Sequence, residues 1–348
     1  MTTINIGGMR VEESQSGNVT EYAWQGLKIY RIPAHSYPGH ATNMYLVLDD
    51  EVTLIDMALD TEGARSDLYN GLAVIKRVFG KDIAIEDISS VVITHGHADH
   101  WGMLANASFG NKRVYIHELD SDALKDYGNM RANARTRIAS LIKEAGWSLS
   151  MDNLFSLDGL LAQPCFAQLV EIHEGEEIID DYQVIHVPGH SPGQICLKVG
   201  PILFLGDHIL SQTTPLQIPG SMRQGCGLRL YLDSLEKVGD LGEHLGLPAH
   251  EDTIYSVKNR VDEIRAFHYQ RLLDILALCQ REKNLFQITD EYYQLRPETI
   301  NGKTLAQLPR DEQILALEEI KAHVEYLMED GHIAITSSED GVLMYRAI

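Results

Sequence analysis

Three histidines and an aspartate stand within six positions of one another, directly after an apolar β-branched run. The segment VVITHGHADHWGM (residues 91–103) therefore joins a buried strand to a dense group of ionisable side chains. His95 and His97 alternate with a glycine, so they point to the same side of an extended chain, and Asp99 and His100 follow. Imidazole and carboxylate ligands together suit zinc, iron or manganese. Two such pairs so close together predict a site that two metal ions share.

Two metal ions need more than four ligands, and later strands lead into suitable residues. These candidates are Asp56 in TLID, His190 in VPGHSPGQ, Asp207 in LFLGD and His250 in LPAHED. Each follows a predicted strand or short apolar run, and α/β proteins commonly gather their sites at the carboxyl ends of strands. We therefore expect all four to meet segment 91–103 in the folded chain.

Strand-like and helix-like stretches alternate through the first 250 residues, which predicts a layered α/β core. The predicted strands are 27–33, 43–50, 51–57, 91–95, 113–117, 182–187, 194–199 and 201–206, and the predicted helices are 61–79 and 228–244. Residues 118–165 differ from this pattern because they are mostly helical, most clearly over 129–146. We interpret them as an insertion on the core.

The pattern changes again near residue 257. A helix from about 256, a short helix from 289, a helix over 311–330 and a hairpin around Asp340-Gly341 follow one another. Three helices and a β-hairpin are typical of a winged helix. We therefore predict a catalytic domain over residues 1–257 and a winged-helix-like domain over 258–348.

Charge and cysteine content limit the partners and the compartment. The net charge of −21 disfavours nucleic acid as a partner but is compatible with a small anionic substrate held by a few arginines. The four cysteines form no CxxC pair, which predicts free thiols in a reducing compartment. We see neither a signal peptide nor an apolar run of the ~18–20 residues that a membrane span needs. A cytoplasmic protein without a membrane partner is expected.

The ordered set of Asp56, HxHxDH, PGHSPG, GD and a final histidine resembles the metallo-β-lactamase superfamily over residues 27–255. The resemblance implies a four-layer αββα sandwich, of the α/β (α+β) class, with the site at one edge between the two sheets. It also implies a division of ligands: His95, His97 and His190 for the first metal, Asp99, His100 and His250 for the second, Asp207 bridging, and Asp56 orienting a ligand histidine.

Other stretches resemble the lactamase-β-like 2 subgroup of small hydrolases, which carry a C-terminal winged helix. These stretches are YLDSLEKV, NRVDEIRAFHYQRL, HVEYLMEDGHI and GDHIL. The chain departs from the superfamily pattern where the large Trp101 follows the motif and Met103 replaces a glycine. Glu251 and Asp252 also follow His250, where a glycine is usual, and we expect them to make the rim more acidic.

The expected chemistry is hydrolysis by a metal-bridging hydroxide that attacks a carbonyl. We expect two divalent metal ions, zinc first, with iron and manganese as alternatives. Asp99 is also expected to orient the nucleophile or accept its proton, and His208 to donate to the oxyanion or leaving group. Because a thiolate leaves without a proton, a thioester or related acyl ester is the preferred substrate.

Candidate substrate-binding residues lie in two places. Tyr37, His40 and Asn43 belong to an early loop where the superfamily often lines its pocket. Arg131 and Arg135 are four positions apart on the predicted insertion helix and share a face, which suits an acidic group such as a CoA phosphate or a glutathione carboxylate.

Several alternative functions stay open. A phosphodiesterase or ribonuclease of the same superfamily comes second, although helix 311–330 holds seven acidic residues and one lysine and would repel phosphate. A lactonase, a β-lactamase and an iron-dependent persulfide dioxygenase come next. We interpret the winged helix as a packing or homodimerisation module.

Overall fold

A computed structural model describes residues 1–37, 39–148, 163–179 and 181–348. Their contacts divide the chain into two compact units. The first unit takes in Met1–Tyr127, Leu157–Pro215 and Ser234–Asp262, and the second takes in Gly128–Ser156, Leu216–Asp233 and Glu263–Ile348. Part of the predicted insertion therefore groups with C-terminal residues, whereas the proposed cut near residue 257 stays a prediction.

Nine strands form the first sheet and lie side by side in chain order. They are β1 (Thr2–Ile6), β2 (Met9–Ser16), β3 (Val19–Trp24), β4 (Leu27–Tyr37), β5 (His40–Leu48), β6 (Val52–Ile55), β7 (Ile88–Ile93), β8 (Arg113–His117) and β9 (Gln168–Ile172). Neighbours from β1 to β6 are antiparallel, and neighbours from β6 to β9 are parallel. Polar residues that follow the parallel strands therefore lie together at the carboxyl ends of these strands.

Five strands form the second sheet, again in chain order. They are β10 (Glu177–Ile178), β11 (Tyr182–His186), β12 (Ile195–Val199), β13 (Ile202–Gly206) and β14 (Leu245–Pro248). One apolar core fills the space between the two sheets, and within it Tyr45 meets the ring of Phe204 edge-on at 5.4 Å. Burial of this apolar surface holds the two sheets face to face.

A helix covers the outer face of the first sheet. Helix α1 (Glu62–Val74) is capped by Thr61, whose hydroxyl accepts the Ala64 N–H, and it continues as a π turn that ends at Gly80. A Cβ on Gly71 would lie 2.5 Å from Ile32, so glycine is what lets α1 approach β4 this closely. The predicted helix over 61–79 is confirmed.

Helical residues also cover the second sheet. Helix α5 (Leu228–Gly239) and helix α6 (Val257–Leu278) each contribute one end to the first unit. There Lys237 donates to the His186 carbonyl at 2.9 Å, and Val257 lies against Gly246 on β14. The order of layers is helix, sheet, sheet, helix, as the family resemblance implies.

The other regular elements complete both units. They are α2 (Ala98–Trp101), α3 (Asp122–Lys125), α4 (Tyr127–Glu144), α7 (Leu285–Leu295), α8 (Arg310–Glu329), β15 (Lys283–Asn284), β16 (Ile333–Glu339) and β17 (Val342–Ala347). Helix α7 begins four residues before the predicted Thr289, because the side chain of Asn284 caps it. The hairpin around Asp340-Gly341 is confirmed, with positive φ angles of 52° and 88°. No helix among the described residues is long and apolar enough to cross a membrane.

Candidate metal centre

Asp56 organises the loop that carries the HxHxDH motif. Its carboxylate accepts hydrogen bonds from the Thr94 N–H and the Thr94 hydroxyl, both at 2.8 Å. It also accepts from Nδ1 of His100 at 3.1 Å. Because Nδ1 carries the hydrogen, Nε2 of His100 keeps its lone pair for a cation. This geometry supports the orienting role predicted for Asp56.

His95, His97 and His190, which we call the first ligand group, converge on one point. Nδ1 of His97 lies 2.9 Å from Nε2 of His95 and 3.0 Å from Nε2 of His190. Ring nitrogens this close together cannot all carry hydrogens, so at least one of them turns a lone pair toward the others. A cation between them would satisfy the lone pairs.

Asp99, His100 and His250, the second ligand group, lie beside the first. Oδ2 of Asp99 is 3.5 Å from Nε2 of His250, and its Oδ1 is 3.8 Å from Nε2 of His100. Nδ1 of His250 donates to the Ala41 carbonyl at 2.8 Å. This donation directs Nε2 of His250 toward the group.

Asp207 stands between the two ligand groups. Its Oδ2 is 3.9 Å from Nε2 of His95 and 3.7 Å from Nε2 of His190. Its Oδ1 is 3.5 Å from Nε2 of His100 and 3.2 Å from Nε2 of His250. One oxygen therefore faces each group, which is the arrangement that a bridging ligand needs.

Burial and mutual charge shift the pKa values of these groups in opposite directions. Burial alone would raise the pKa of Asp207, but His250 and His100 outweigh it and hold that pKa well below its usual range. Burial would likewise lower the pKa of His250, but Asp207 raises it to about 9. The carboxylates are therefore held in the ionised form that a metal ligand requires.

The chemistry of these residues fits divalent metal ions. Their ligand atoms form sets that lie within 4.8 Å of one another: His95, His97, His190 and Asp207 in one, and His100, Asp207 and His250 in another. Within the part of the chain that the structure describes, Nε2 of His100 and Oδ1 of Asp207 are buried without a hydrogen-bond partner. Buried polar atoms of this kind are costly unless something binds them, and a cation would do so.

A family model described as the metallo-beta-lactamase superfamily matches residues 37–250, which include every residue of the two ligand groups. The chain belongs to this superfamily.

Curated superfamily relatives include a probable metallo-hydrolase, YqjP, from Bacillus subtilis. It is 27% identical over 71% of this chain and 84% of its own length. Human MBLAC2, an acyl-coenzyme A thioesterase, is 28% identical over 49% of this chain. That match spans only 58% of MBLAC2, so its activity does not transfer directly. A hydroxyacylglutathione hydrolase from Enterobacter is 29% identical over 40% of this chain and 59% of its own length.

Two solved structures share the superfamily fold over nearly the whole chain. The metallo-beta-lactamase family protein TTHA1429 from Thermus thermophilus has a TM-score of 0.71 and 23% identity, covering 92% of this chain and 98% of its own. A beta-lactamase domain protein from Burkholderia ambifaria has a TM-score of 0.73 and 20% identity, covering 97% and 94%. At these identities the likeness concerns the fold.

Two of the three predicted early-loop residues border the centre. Nε2 of His40 lies 2.8 Å from Oδ2 of Asp99, and Tyr37 stacks on the His40 ring at 4.7 Å. Asn43 is buried, and its amide donates to the carbonyls of Pro248 and Glu251, on either side of His250. Asn43 therefore anchors the segment that carries His250, which favours a scaffolding role over substrate contact.

The other predicted residues lie outside the ligand groups. The ring of His208 is fully buried and interacts with the backbone of Ser234, and burial lowers its pKa to about 3. This position favours packing over the predicted proton-donor role. Arg135 is exposed on α4, in the second unit, while the side chain of Arg131 lies outside what the structure describes. The roles of both arginines stay predictions.

The departures from the superfamily pattern have structural explanations. Trp101 and Met103 are buried in the core beneath the sheet, and the indole N–H of Trp101 donates to the Gly96 carbonyl at 3.2 Å. They pack under the ligand loop. The carboxylate of Glu251 accepts hydrogen bonds from the loop at Ser211 to Thr213 and so is engaged within the protein.

Sequence reasoning missed a second supporting carboxylate, Asp120, which is described below. The sequence does place Asp120 three residues after the end of β8, which is the kind of position that selected the other candidates. The same kind of position also selects unrelated residues. His117 ends β8 and His186 ends β11, and the two rings stack at 4.0 Å while Nε2 of His186 bonds the Pro192 carbonyl. A strand-end position alone therefore does not separate a supporting residue from a packed histidine.

Proposed function

We propose that the chain is a binuclear metal-dependent hydrolase that acts on a thioester or a related acyl ester. The observation that carries the proposal is the position of Asp207, with one carboxylate oxygen toward each ligand group. Zinc is the proposed metal, with iron and manganese as alternatives. Bound metal ions would supply Lewis-acid polarisation of the substrate carbonyl and lower the pKa of an attacking water.

The remaining work falls to the protein's own residues. Asp99 is the carboxylate best placed to accept a proton from the attacking water, and His40 holds its Oδ2 by a hydrogen bond. Tyr37 stacks on the ring of His40 and would border the substrate. Asp56 keeps His100 in the correct tautomer.

The preference for a thioester follows from the leaving group. The ring of His208 is buried against the backbone of Ser234, so we do not assign it the role of proton donor. A thiolate needs no such donor, whereas an amine does. The names of two relatives, an acyl-coenzyme A thioesterase and a hydroxyacylglutathione hydrolase, support the same substrate class.

A substrate panel tests this proposal. Protein purified without chelator would be given an acyl-CoA, an acyl-glutathione, a lactone, a β-lactam and bis-nitrophenyl phosphate, with persulfide oxidation measured separately. We expect the thioesters to turn over fastest. Turnover of the phosphodiester alone would instead support a phosphodiesterase or ribonuclease and contradict the proposed class. Asp99→Ala is the matched control, because it should abolish turnover of whichever substrate the centre hydrolyses.

A second, less supported part of the proposal concerns substrate binding by the arginines of α4. We propose that Arg131 and Arg135 hold an anionic part of the substrate, such as the phosphates of CoA. A double change to glutamine should raise KM for acyl-CoA by roughly threefold to tenfold, in line with loss of exposed ion pairs, and leave kcat nearly unchanged. An unchanged KM for every anionic substrate would contradict a role of Arg131 and Arg135 in substrate binding.

We propose that the C-terminal elements form a winged-helix-like module that packs against other parts of the protein or forms the contact between two copies in a homodimer. We also propose that the protein is cytoplasmic. Most residues of α8 between Ile314 and Leu327 are buried, so this helix has little free surface for reading nucleic acid. Sedimentation of the full chain at several concentrations tests the dimer. A monomer at every concentration would contradict it.

A further inference from the structure

We propose that Asp120 is a positioning residue that holds the first ligand group in its metal-binding geometry. The inference rests on the metal centre of the proposed function and goes beyond it by adding a second buried carboxylate that supports the first ion site. Asp120 ends a short 3₁₀ turn, Glu118–Asp120, that follows β8, and it is 1% exposed.

One oxygen of Asp120 joins the two loops that carry the first ligand group. Oδ2 accepts the Gly96 N–H at 3.0 Å and the Ser191 hydroxyl at 2.6 Å. Gly96 stands between His95 and His97, and Ser191 directly follows His190. A single buried carboxylate therefore fixes the backbone between two ligands and the residue beside the third. Both bonds are buried, which strengthens them relative to hydrogen bonds exposed to water.

The surrounding backbone is built closely around this carboxylate. A Cβ on Gly193 would lie 2.8 Å from both the backbone nitrogen and the Cβ of Asp120. A Cβ on Gly96 would lie 3.0 Å from Ala123 and 3.2 Å from Cγ of Asp120. Both loops approach Asp120 at positions where only glycine fits without displacement. Asp120 is therefore closely packed between the two loops, and neither Gly96 nor Gly193 has room for a side chain.

The second ligand group has support of its own. Asp56 holds His100, and the Ala41 carbonyl holds His250. Asp56 also binds the hydroxyl of Thr94, which lies 3.3 Å from Nδ1 of His95, so Asp56 reaches both ligand groups, whereas Asp120 binds the loops at Gly96 and Ser191. Removing Asp120 should therefore weaken the first ion site more than the second, whereas removing Asp56 should weaken both.

The test is a Co²⁺ titration of the full chain, followed by ligand-field absorbance and by calorimetry. The variants His97→Ala and His250→Ala assign the two binding steps to the first and second ligand groups. We expect Asp120→Ala to weaken the first step by about tenfold to a hundredfold, the usual effect of an outer partner of metal ligands, and to change the second step much less. Asp56→Ala is the matched control and should weaken both steps, because Asp56 holds His100 directly and reaches His95 through Thr94.

Conservative variants separate positioning from simple loss of structure. Asp120→Asn keeps one oxygen that can accept both hydrogen bonds, so it should recover part of the first-step affinity. Ser191→Ala removes one bond and leaves the carboxylate, and it serves as the second variant should Asp120→Ala fail to fold. Circular dichroism of each metal-free variant checks the fold.

The outcomes distinguish this inference from the proposed function. Equal weakening of both steps in Asp120→Ala, or no weakening of either, would overturn the positioning role even in an active hydrolase. Selective weakening of the first step would support it even if no acyl ester in the panel were hydrolysed. A wild-type chain that binds no Co²⁺ or Zn²⁺ would overturn the metal centre and this inference together.

Discussion

Two buried clusters of histidine and carboxylate satisfy the same distance condition for metal binding, yet their surroundings differ. One is the metal centre of the first unit. The other, which we call the C-terminal cluster, consists of His268, Glu319 and His323 in the second unit. In both, the ligand atoms lie within 4.8 Å of one another. Residue type and distance therefore do not decide between them.

Charge balance does distinguish them. In the C-terminal cluster the carboxylate of Glu319 pairs with the guanidinium of Arg271 and also accepts the Gln217 N–H at 2.7 Å. Nδ1 of His323 donates to the Glu319 carbonyl at 2.7 Å, and Nδ1 of His268 lies 3.0 Å from Nε2 of His323. This cluster already contains its cation, and a metal ion would be repelled by Arg271.

The metal centre contains no such resident cation. Among the described residues, no lysine or arginine forms an ion pair with Asp99 or Asp207, and their partners are histidines. Those histidines can release their protons when a metal ion binds, which a guanidinium cannot do. A candidate metal site is thus better judged by what already neutralises its carboxylates than by spacing.

The largest expected effect comes from the bridging carboxylate. Asp207→Ala should reduce metal content from about two ions per chain toward zero, because both ligand groups lose a shared ligand, and turnover should fall by more than about a hundredfold. Elemental analysis and a thioesterase assay measure these changes. If Asp207→Ala kept the metal content of the wild type, Asp207 would not be a ligand that the two groups share, and the contrast with the C-terminal cluster would fail.

Removal of the resident cation should be the next largest effect. Arg271→Met leaves Glu319 buried without its partner, which typically costs about 3–5 kcal/mol of unfolding free energy. Denaturant unfolding measures the loss. The double variant Arg271→Met/Glu319→Leu should recover most of it, since no buried charge remains unpaired. A single variant as stable as wild type would show that the pair is not what balances the cluster.

The buried acid next to Glu319, Glu318, should make the stability of the fold depend on pH. Burial raises the pKa of Glu318 from 4.5 to about 7. Between these pH values the unfolded chain has released the proton and the folded chain has not, so stability falls as pH rises through this range. The total loss by pH 8 should be about 3 kcal/mol.

Glu318→Gln should remove this pH-dependent loss, and Glu312→Gln, on the exposed first turn of α8, is the control. Unfolding free energies measured from pH 4.5 to 8 give the comparison. Parallel curves for wild type and Glu318→Gln would contradict the raised pKa.

The smallest expected effect concerns His323. Changing it to Gln breaks a buried hydrogen-bond chain and should cost about 1–2 kcal/mol of unfolding free energy, but metal content should stay at the wild-type value. Elemental analysis decides the matter. Loss of one metal ion per chain in His323→Gln would place a metal in the C-terminal cluster and reverse the comparison.

Much of the fold followed from local patterns. The predicted β8 and the hairpin around Asp340-Gly341 match their observed positions, because periodicity and turn residues act over a few positions. The first two strands were not singled out, since TTINI and MRVEESQS are mostly polar and bury few side chains. Their pairing with the sheet, which local propensity does not report, makes them strands.

The acidic helix α8 shows what a count of charges along the chain cannot predict. Helix α8 was expected to present its acidic residues as a repulsive face, and Glu318 and Glu319 are instead buried. Glu319 is buried because Arg271, 48 positions earlier, meets it. Such a partner is invisible to any local pattern.

The sequence by itself determined which residues are available as ligands, because the HxHxDH spacing and the strand-end positions of His190, Asp207 and His250 are local properties. Tertiary structure decided how the ligands are held and which cluster is left open for a metal. Asp120 reaches Gly96 and Ser191 across 24 and 71 positions of the chain. Long-range contacts of this kind depend on how the sheets bring distant loops together, so they emerge only when the chain is folded.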